Sequence, residues 1–296
     1  MYDITCSIVL YNTPIDKLEK AISSFLNCSL KTKLYLIDNS PVVLQKQFNE
    51  PNIEYIHTGK NLGYGGGNNI AIKNAMGLSK YHLVLNPDVS FDENTLEGMF
   101  NFMEKNDDIG LSMPKVFYQN NEIQHLCKKL PSPADLFLRR FIPEKIKNKF
   151  RNVLDEYELK HLDYNATMKV PNLSGCFMFM RTSVLSQSGM FDERYFLYLE
   201  DTDLCRRINQ FAHTVYYPFE SIYHCYNKES YRNSKLLLYH LNSTIKYFNK
   251  WGWFFDSHRN FVNKPLKYRN KKTYIKEVRF INTSLNTSAN IHDLSY

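Results

Sequence analysis

No stretch of this 296-residue chain approaches the roughly 20 consecutive apolar residues that a membrane-spanning helix needs, which excludes a bundle of spans. The start has no basic segment ahead of an apolar core. Asp3 interrupts it and the apolar piece from Ile4 to Leu10 is short, which argues against a secretory leader. The six cysteines, Cys6, Cys28, Cys127, Cys176, Cys205 and Cys225, are scattered and form no C-x-x-C pair. Three lie inside apolar segments, so reduced core thiols are expected rather than disulfides or a zinc site. Internal repeats and low-complexity blocks are absent. The N-x-S/T triplets at Asn165, Asn172 and Asn242 carry no meaning in a chain that is not secreted. These absences predict a cytoplasmic protein, able to rest peripherally on the inner face of a membrane.

What is present is a chain 43% hydrophobic and 23% charged, with a net charge of +7. That supports one large α/β domain, with or without a terminal extension, and favours anionic partners: nucleotide phosphates, nucleic acid or an acidic lipid surface. Apolar runs at Ile4 to Leu10, Lys33 to Ile37, Ile53 to Ile56, Tyr81 to Leu85 and Ile109 to Met113 read as strands. Between them the spacing predicts helices carrying Leu18, Ile22, Phe25 and Leu26, then spanning 70–79 and 93–105. Such alternation predicts a mostly parallel sheet covered on both faces, with ligands at the carboxyl ends of its strands. Residues 120–168 read as a helical, basic insertion: Arg139, Arg140, Lys145, Lys147, Lys149 and Arg151 alternate with Phe137, Phe141, Ile142, Ile146 and Phe150. This is either a solvated face over a core stripe or a surface meeting an acceptor or an anionic bilayer. A strand is expected over 172–180 and two short ones at 215–218 and 222–223. A helix from Ser234 places Leu237, Leu238, Leu241, Ile245 and Phe248 on one face. The core domain is expected over 1–255 and a basic extension over 256–296, with Lys264, Lys267, Arg269, Lys271, Lys272, Lys276 and Arg279.

Four features carry chemistry. In NLGYGGGNN at 61–69, Gly63, Gly65, Gly66 and Gly67 let backbone amides approach a phosphate ahead of a helix N-terminus; a flexible turn is the alternative. Asn68 stands where a dinucleotide fingerprint wants glycine or alanine, and the P-loop lysine is missing. Asn86-Pro87-Asp88 closes an apolar strand, either as a plain turn or as a one-carboxylate variant of a D-x-D metal site. In FLYLEDTDLCRRI at 196–208, Glu200 and Asp201 open a helix whose Leu204, Ile208 and Phe211 face inward. Helix capping explains that pair, and so does a general base. His224 ends a strand as a structural histidine or as a metal ligand.

Together, IVLYN at 8–12, IDN at 37–39, NLGYGGGNN at 61–69, LNPDV at 85–89, SGCFMFMR at 174–181 and FDERYFLYLEDTDLCRR at 191–207 resemble family 2 glycosyltransferases, nearest the bacterial rhamnosyltransferase branch. The resemblance covers about residues 4–255. It implies a GT-A fold and inverting, metal-dependent hexosyl transfer with Mg²⁺ or Mn²⁺. L-rhamnose from dTDP-rhamnose would pass to a lipid-linked saccharide of a surface polysaccharide. It implies that Tyr11, Asn12 and Asp38 hold the base and ribose, and that Asn61, Gly63, Tyr64, Asn68 and Asn86 lie along the nucleotide sugar. Asp88 and His224 would hold the metal. Asp201 would be the base, with Glu200 orienting the acceptor or serving as alternate base. The chain departs from the pattern at Asn86, where a full D-x-D has a carboxylate. It also lacks an arginine that approaches the diphosphate in some branches; His240, Leu241 and Asn242 stand there. Alternatives are a UDP-sugar donor (galactose, N-acetylglucosamine or galactofuranose) or a non-catalytic protein that uses basic faces at 139–151 and 264–279 on membrane or nucleic acid.

Overall fold

The computed structural model describes residues 1–141, 145, 148–225 and 234–267. Strands β1 (Tyr2–Leu10), β2 (Thr32–Asp38), β3 (Ile53–His57) and β4 (Ser79–Leu85) build a parallel half-sheet in the order β3-β2-β1-β4. The sheet continues through β8 (Phe177–Arg181), β6 (Ile109–Phe117), β9 (His213–His224) and β5 (Val89–Ser90), with β7 (Met168–Lys169) paired to β9. β8 runs antiparallel to both β4 and β6, whereas β6 and β9 are parallel over their length. The long pairings are parallel, so the α/β class and the mostly parallel sheet hold.

β1 shows why both faces are covered. Ile4, Cys6, Ile8 and Leu10 point one way into the main core. There they meet Leu18, Ala21, Ile22 and Phe25, whose i, i+3, i+4, i+7 spacing lines one side of α1 (Ile15–Leu26). Thr5, Ser7 and Val9 point the other way, beneath α2 (Gly63–Ala75). Thr5 and Ser7 are fully buried, and each hydroxyl has a partner: Thr5 Oγ1 lies 2.9 Å from His82 Nδ1, and Ser7 Oγ donates to Asn68 Oδ1 at 2.6 Å. Further helices are α3 (Thr95–Glu104), α4 (Pro133–Phe141), α5 (Arg151–Tyr157), α6 (Thr182–Ser188), α7 (Glu200–Ile208), α8 (Ser234–Trp251) and α9 (Ser257–Asn263).

Several expectations are corrected here. The helix expected at 70–79 begins at Gly63, so the glycine cluster is helix rather than loop. β9 is one strand with a register shift where two short ones were expected. The strand expected from 172 begins at Phe177, and Phe211 lies beyond α7 and is 51% exposed. In α8 the buried face is Ser243, Tyr247 and Phe248, packed on Leu136, Tyr157, Tyr195 and Leu199, while Leu238 and Ile245 are exposed. Apolar residues on two sides of that helix satisfied the same spacing, and only its neighbours select one. Finally, the chain does not separate at residue 256. Asp256 is buried against Arg206, Asn263 exchanges hydrogen bonds with both backbone groups of Leu130, and Leu266 is in the core. The 120–168 insertion is helical only in α4, α5 and a 3₁₀ turn at Asn148–Phe150. Ile142, Ile146 and Lys147, and the tail cations from Arg269 to Arg279, lie outside the described residues.

Candidate functional site

Strand order reverses between β1 and β4, and the crevice for a ligand in such sheets opens beyond the carboxyl ends of those two strands. On the β1 side, the Asn12 backbone has φ 49° and its N–H donates to Ser40 Oγ at 2.8 Å. Ser40 N–H in turn donates to Asp38 Oδ1 at 2.9 Å, and the Tyr55 hydroxyl donates to the other Asp38 oxygen. Burial pushes the Asp38 carboxyl up, but hydrogen bonds from Ser40 and Tyr55 outweigh it and hold the group below the usual range. Asn12, Asp38, Ser40 and Val43 line a small cavity of about 170 Å³. Tyr11 beside it is 51% exposed.

A larger cavity of about 300 Å³ lies beyond β4, lined by Tyr64, Asn86, Gly175, Glu200, Asp201 and His224. Thus the acidic pair and the strand-end histidine, far apart in sequence, share one wall. Asp201 Oδ2 accepts from Gly175 N–H at 3.0 Å, and its Oδ1 accepts from Thr202 N–H at 2.7 Å. The carboxyl is thereby fixed and still half-open to the cavity. Glu200 is 5% exposed, and its Oε2 has no hydrogen-bond partner among the described residues. Burial, then the neighbouring Asp201, raises its pKa well above the ordinary value. Burial thus disfavours the Glu200 anion, which favours Asp201 over Glu200 as the base. Ahead of it, Tyr198 and Leu199 adopt left-handed φ of 72° and 66°. Non-glycine residues pay roughly 1–3 kcal/mol each for that conformation. It is enforced because Leu199 is packed under α8 and Ser243 Oγ holds the Leu197 carbonyl at 2.8 Å.

Asp88 meets the cavity through His224, whose Nε2 lies 3.4 Å from Asp88 Oδ1. Gln124 decides what that contact can do. Its amide nitrogen donates to the carbonyls of Phe117 at 3.2 Å and His224 at 2.7 Å, leaving Oε1 to face His224 Nδ1 at 3.1 Å. Nδ1 therefore carries a hydrogen, and Nε2 is the ring nitrogen that faces the carboxylate. That nitrogen and the Asp88 oxygen are the two atoms that could ligate a shared cation. One oxygen and one imidazole nitrogen fit a borderline divalent ion. Among the described residues no group of three or more His, Cys, Asp or Glu surrounds a common point, so the other ligands would come from substrate and water. Nothing in the sequence marked Gln124, which lies 100 positions from its partner.

The remaining expected residues serve as structure. Asn61 Oδ1 accepts from Gly63 N–H at 2.9 Å, capping α2. Gly63 has φ 76°, and a Cβ there would lie 2.2 Å from the Phe196 carbonyl oxygen. A Cβ on Gly65 would strike Phe191 at 2.9 Å, and one on Gly67 would strike Val9 at 2.9 Å. The glycines let α2 lie close on β1 and on the approach to α7, so packing alone accounts for them. Asn68 is fully buried between Ser7 and the Tyr64 carbonyl, which removes it from the nucleotide. The single Tyr64 hydroxyl proton goes to the Gly175 carbonyl at 2.6 Å, and the Asn86 amide lies 3.1 Å from the same oxygen. These two side chains brace the loop that presents Gly175 to Asp201.

Residues 5–189 match the model of the family described as Glycosyl transferase family 2. The chain is 28% identical over 226 residues to the rhamnosyltransferase WbbL of Escherichia coli K12, covering 73% of this chain and 81% of that one. It is 24% identical over 290 residues to the N-acetylglucosaminyl-diphospho-decaprenol L-rhamnosyltransferase of Mycobacterium tuberculosis, covering 90% and 89%. Among solved structures, GalNAc-T7 with UDP, GalNAc and Mn²⁺ superposes with a TM-score of 0.60 at 12% identity, over 88% of this chain and 50% of that one. This chain thus spans half the length of that protein. Residues 1–349 of Staphylococcus aureus TarS give a TM-score of 0.53 at 12% identity, over 88% and 69%. At such identities the two structures speak to the fold alone.

Proposed function

Because the chain belongs to glycosyl transferase family 2 and has the GT-A fold, we propose that it is an inverting hexosyltransferase whose base is Asp201. The reading rests above all on the fixed Asp201 carboxyl sharing a cavity with His224 and, through it, Asp88. In this mechanism the nucleotide lies in the crevice from Asn12 and Asp38 toward Asn86, and the sugar projects toward Asp201. Asp201 takes the proton of an acceptor hydroxyl as its oxygen bonds the anomeric carbon. The bond to the diphosphate breaks on the opposite face, its electron pair leaving with the nucleoside diphosphate. Asp88 and His224 would hold Mg²⁺ or Mn²⁺, which when bound supplies positive charge to the leaving diphosphate. Glu200, buried beside the base, orients the acceptor. Gly175 N–H and Thr202 keep Asp201 in a single rotamer for the transfer.

The names of the two curated relatives favour L-rhamnose as the sugar, here taken from dTDP-rhamnose, and the second favours a lipid-linked saccharide as acceptor. Exposed Phe254, Phe255 and Phe261, at 77%, 96% and 78%, support peripheral contact with the membrane that carries such a lipid. Among the described residues no helix is long and apolar enough to cross it. The test is D201N: transfer should fall by about 10²–10⁴ while nucleotide affinity stays as in the wild type. Transfer within a few-fold of wild type would remove Asp201 from the mechanism. A thermal-shift panel of sugar nucleotides with and without Mn²⁺ identifies the donor, because a ligand of the native state raises its melting point. Stabilisation by UDP-sugars and not by dTDP-rhamnose would replace the donor assignment.

A further inference from the structure

The loop between β2 and β3 carries two apolar side chains that the core does not take up. Val42 and Val43 are 72% and 50% exposed, and both line the cavity of about 170 Å³ at the carboxyl ends of β1 and β2. Around them the loop is pinned. The Ser40 N–H donates to Asp38 at 2.9 Å, its Oγ accepts the Asn12 N–H at 2.8 Å, and its carbonyl accepts from His57 Nε2 at 2.9 Å. Further along, the Leu44 N–H donates to the Tyr55 hydroxyl at 3.1 Å, and the Leu44 side chain packs on the main core. Phe48 then stacks on Tyr55 with ring centroids 6.0 Å apart. A loop fastened on both sides of the valines holds them at the cavity instead of letting them turn inward, and leaves their methyl groups facing water. The cavity is therefore two-sided. Asn12, Asp38 and Ser40 form its polar wall, and Val42 and Val43 its apolar one. Such a pocket suits a small planar ring that has a hydrogen-bonding edge and one apolar substituent.

We propose that Val42 and Val43 contact the C5-methyl group of a thymine base, so that this chain selects deoxythymidine diphosphate donors over their uridine counterparts. The inference rests on the glycosyl-transfer reading and assigns the choice of donor base to particular side chains. The carbonyls and ring N–H of a pyrimidine belong on the polar wall. The C5–C6 edge of uracil bears only hydrogens, whereas thymine carries a methyl there. An apolar side chain against that methyl is a contact that a base lacking it cannot make. Asn12, Asp38 and Ser40 cannot draw this distinction, because the two rings present them the same polar edge. The larger cavity around Asp201 cannot draw it either, since it meets the sugar and the acceptor.

The probe that isolates the methyl is dUDP, which differs from dTDP there alone, whereas UDP differs also by its ribose 2′-hydroxyl. The three nucleotides are titrated calorimetrically, with Mn²⁺, into wild type and V42S/V43S, which removes the methyl groups and leaves small side chains suited to a loop. Wild type should bind dTDP at least about fourfold more tightly than dUDP, the effect of burying one methyl group. In the variant that ratio should fall below about twofold. Its dUDP affinity and its dUDP-to-UDP ratio should stay as in the wild type, which also shows that the variant folds. Equal binding of dTDP and dUDP by the wild type overturns the proposal, and so does a wild-type ratio that persists in the variant. An equal loss for dTDP and dUDP also overturns it, because the valines then serve the loop and not the methyl. In each of these results nucleotide binding by the wild type leaves the transfer reading standing. That reading fails separately, and the proposal with it, if the wild type binds none of the three.

Discussion

Replacing Gly63 with alanine separates packing from phosphate binding at the glycine cluster. At Gly63 the backbone has φ 76°, and an added Cβ would lie 2.2 Å from the Phe196 carbonyl oxygen and 3.0 Å from its ring. That carbonyl cannot retreat without cost, since it accepts the Tyr64 N–H at 3.0 Å. The left-handed backbone costs an alanine about 1–2 kcal/mol. Forcing a methyl into filled space adds roughly 1–3 kcal/mol. Together they give a loss of about 2–5 kcal/mol, or on the order of 5–15 °C in melting temperature for a protein of this size. Gly66 in the same helix is the control. A Cβ there meets only the Leu62 side chain at 3.2 Å, and alanine at a helix-interior position is worth up to about 1 kcal/mol in its favour. Melting by differential scanning fluorimetry should therefore drop sharply for G63A and change little for G66A. Nucleotide affinity, measured well below the transition, should move by less than about threefold in both, because glycines that serve packing have no phosphate contact to lose, whereas one lost amide contact, about 1 kcal/mol, would weaken it about fivefold. If G63A melts like wild type and loses nucleotide affinity, the amides cradle a phosphate after all and the packing argument fails.

Other outcomes follow from buried charges and from the cation site. D88A should abolish any extra thermal stabilisation that Mn²⁺ gives in the presence of nucleotide; equal Mn²⁺ shifts in variant and wild type would take Asp88 out of the metal site. Arg206 and Asp256 form a buried bidentate pair at 2.6 and 2.7 Å, so D256A leaves a guanidinium stranded against α8 and should cost about 3–5 kcal/mol in urea melts. A loss below 1 kcal/mol would show that the cation is compensated otherwise. His82 is fully buried between Thr5 and Ser7, and desolvation lowers its pKa to about 3. The unfolded chain then binds a proton near pH 6.5 that the folded chain refuses, so stability falls as pH drops from about 6.5 toward 3, by at most about 1.4 kcal/mol per pH unit. H82Q should flatten that decline between pH 6.5 and 5; an unchanged slope would assign it to other groups.

Why some of the site was legible and some was not depends on how local each determinant is. Asp38, Asn86 and Asp88 follow apolar strands, and that adjacency alone puts them at carboxyl ends. Glu200 and Asp201 open α7 because the apolar positions behind them, Leu204 and Ile208, have helical spacing. The glycine cluster misled because glycine serves close packing and phosphate approach equally well, and choosing needs to know that Val9, Phe191 and Phe196 lie against it. The buried side of α8 was equally undetermined, with Leu238 and Ile245 as apolar as Tyr247 and Phe248. Gln124 carried no signal at all: it is an amide that acquires a role only from groups distant in the chain.

By itself, then, the sequence determined the alternating strands and helices, the turns at the carboxyl edge and the family to which they belong. Those follow from spacing and turn chemistry, which act over a few residues. Tertiary structure decided which of two neighbouring carboxyls is buried, which nitrogen of His224 faces Asp88, and which side of α8 packs inward. Those depend on burial and on partners brought together across the sheet, because desolvation and hydrogen bonding are fixed by what surrounds a group in space.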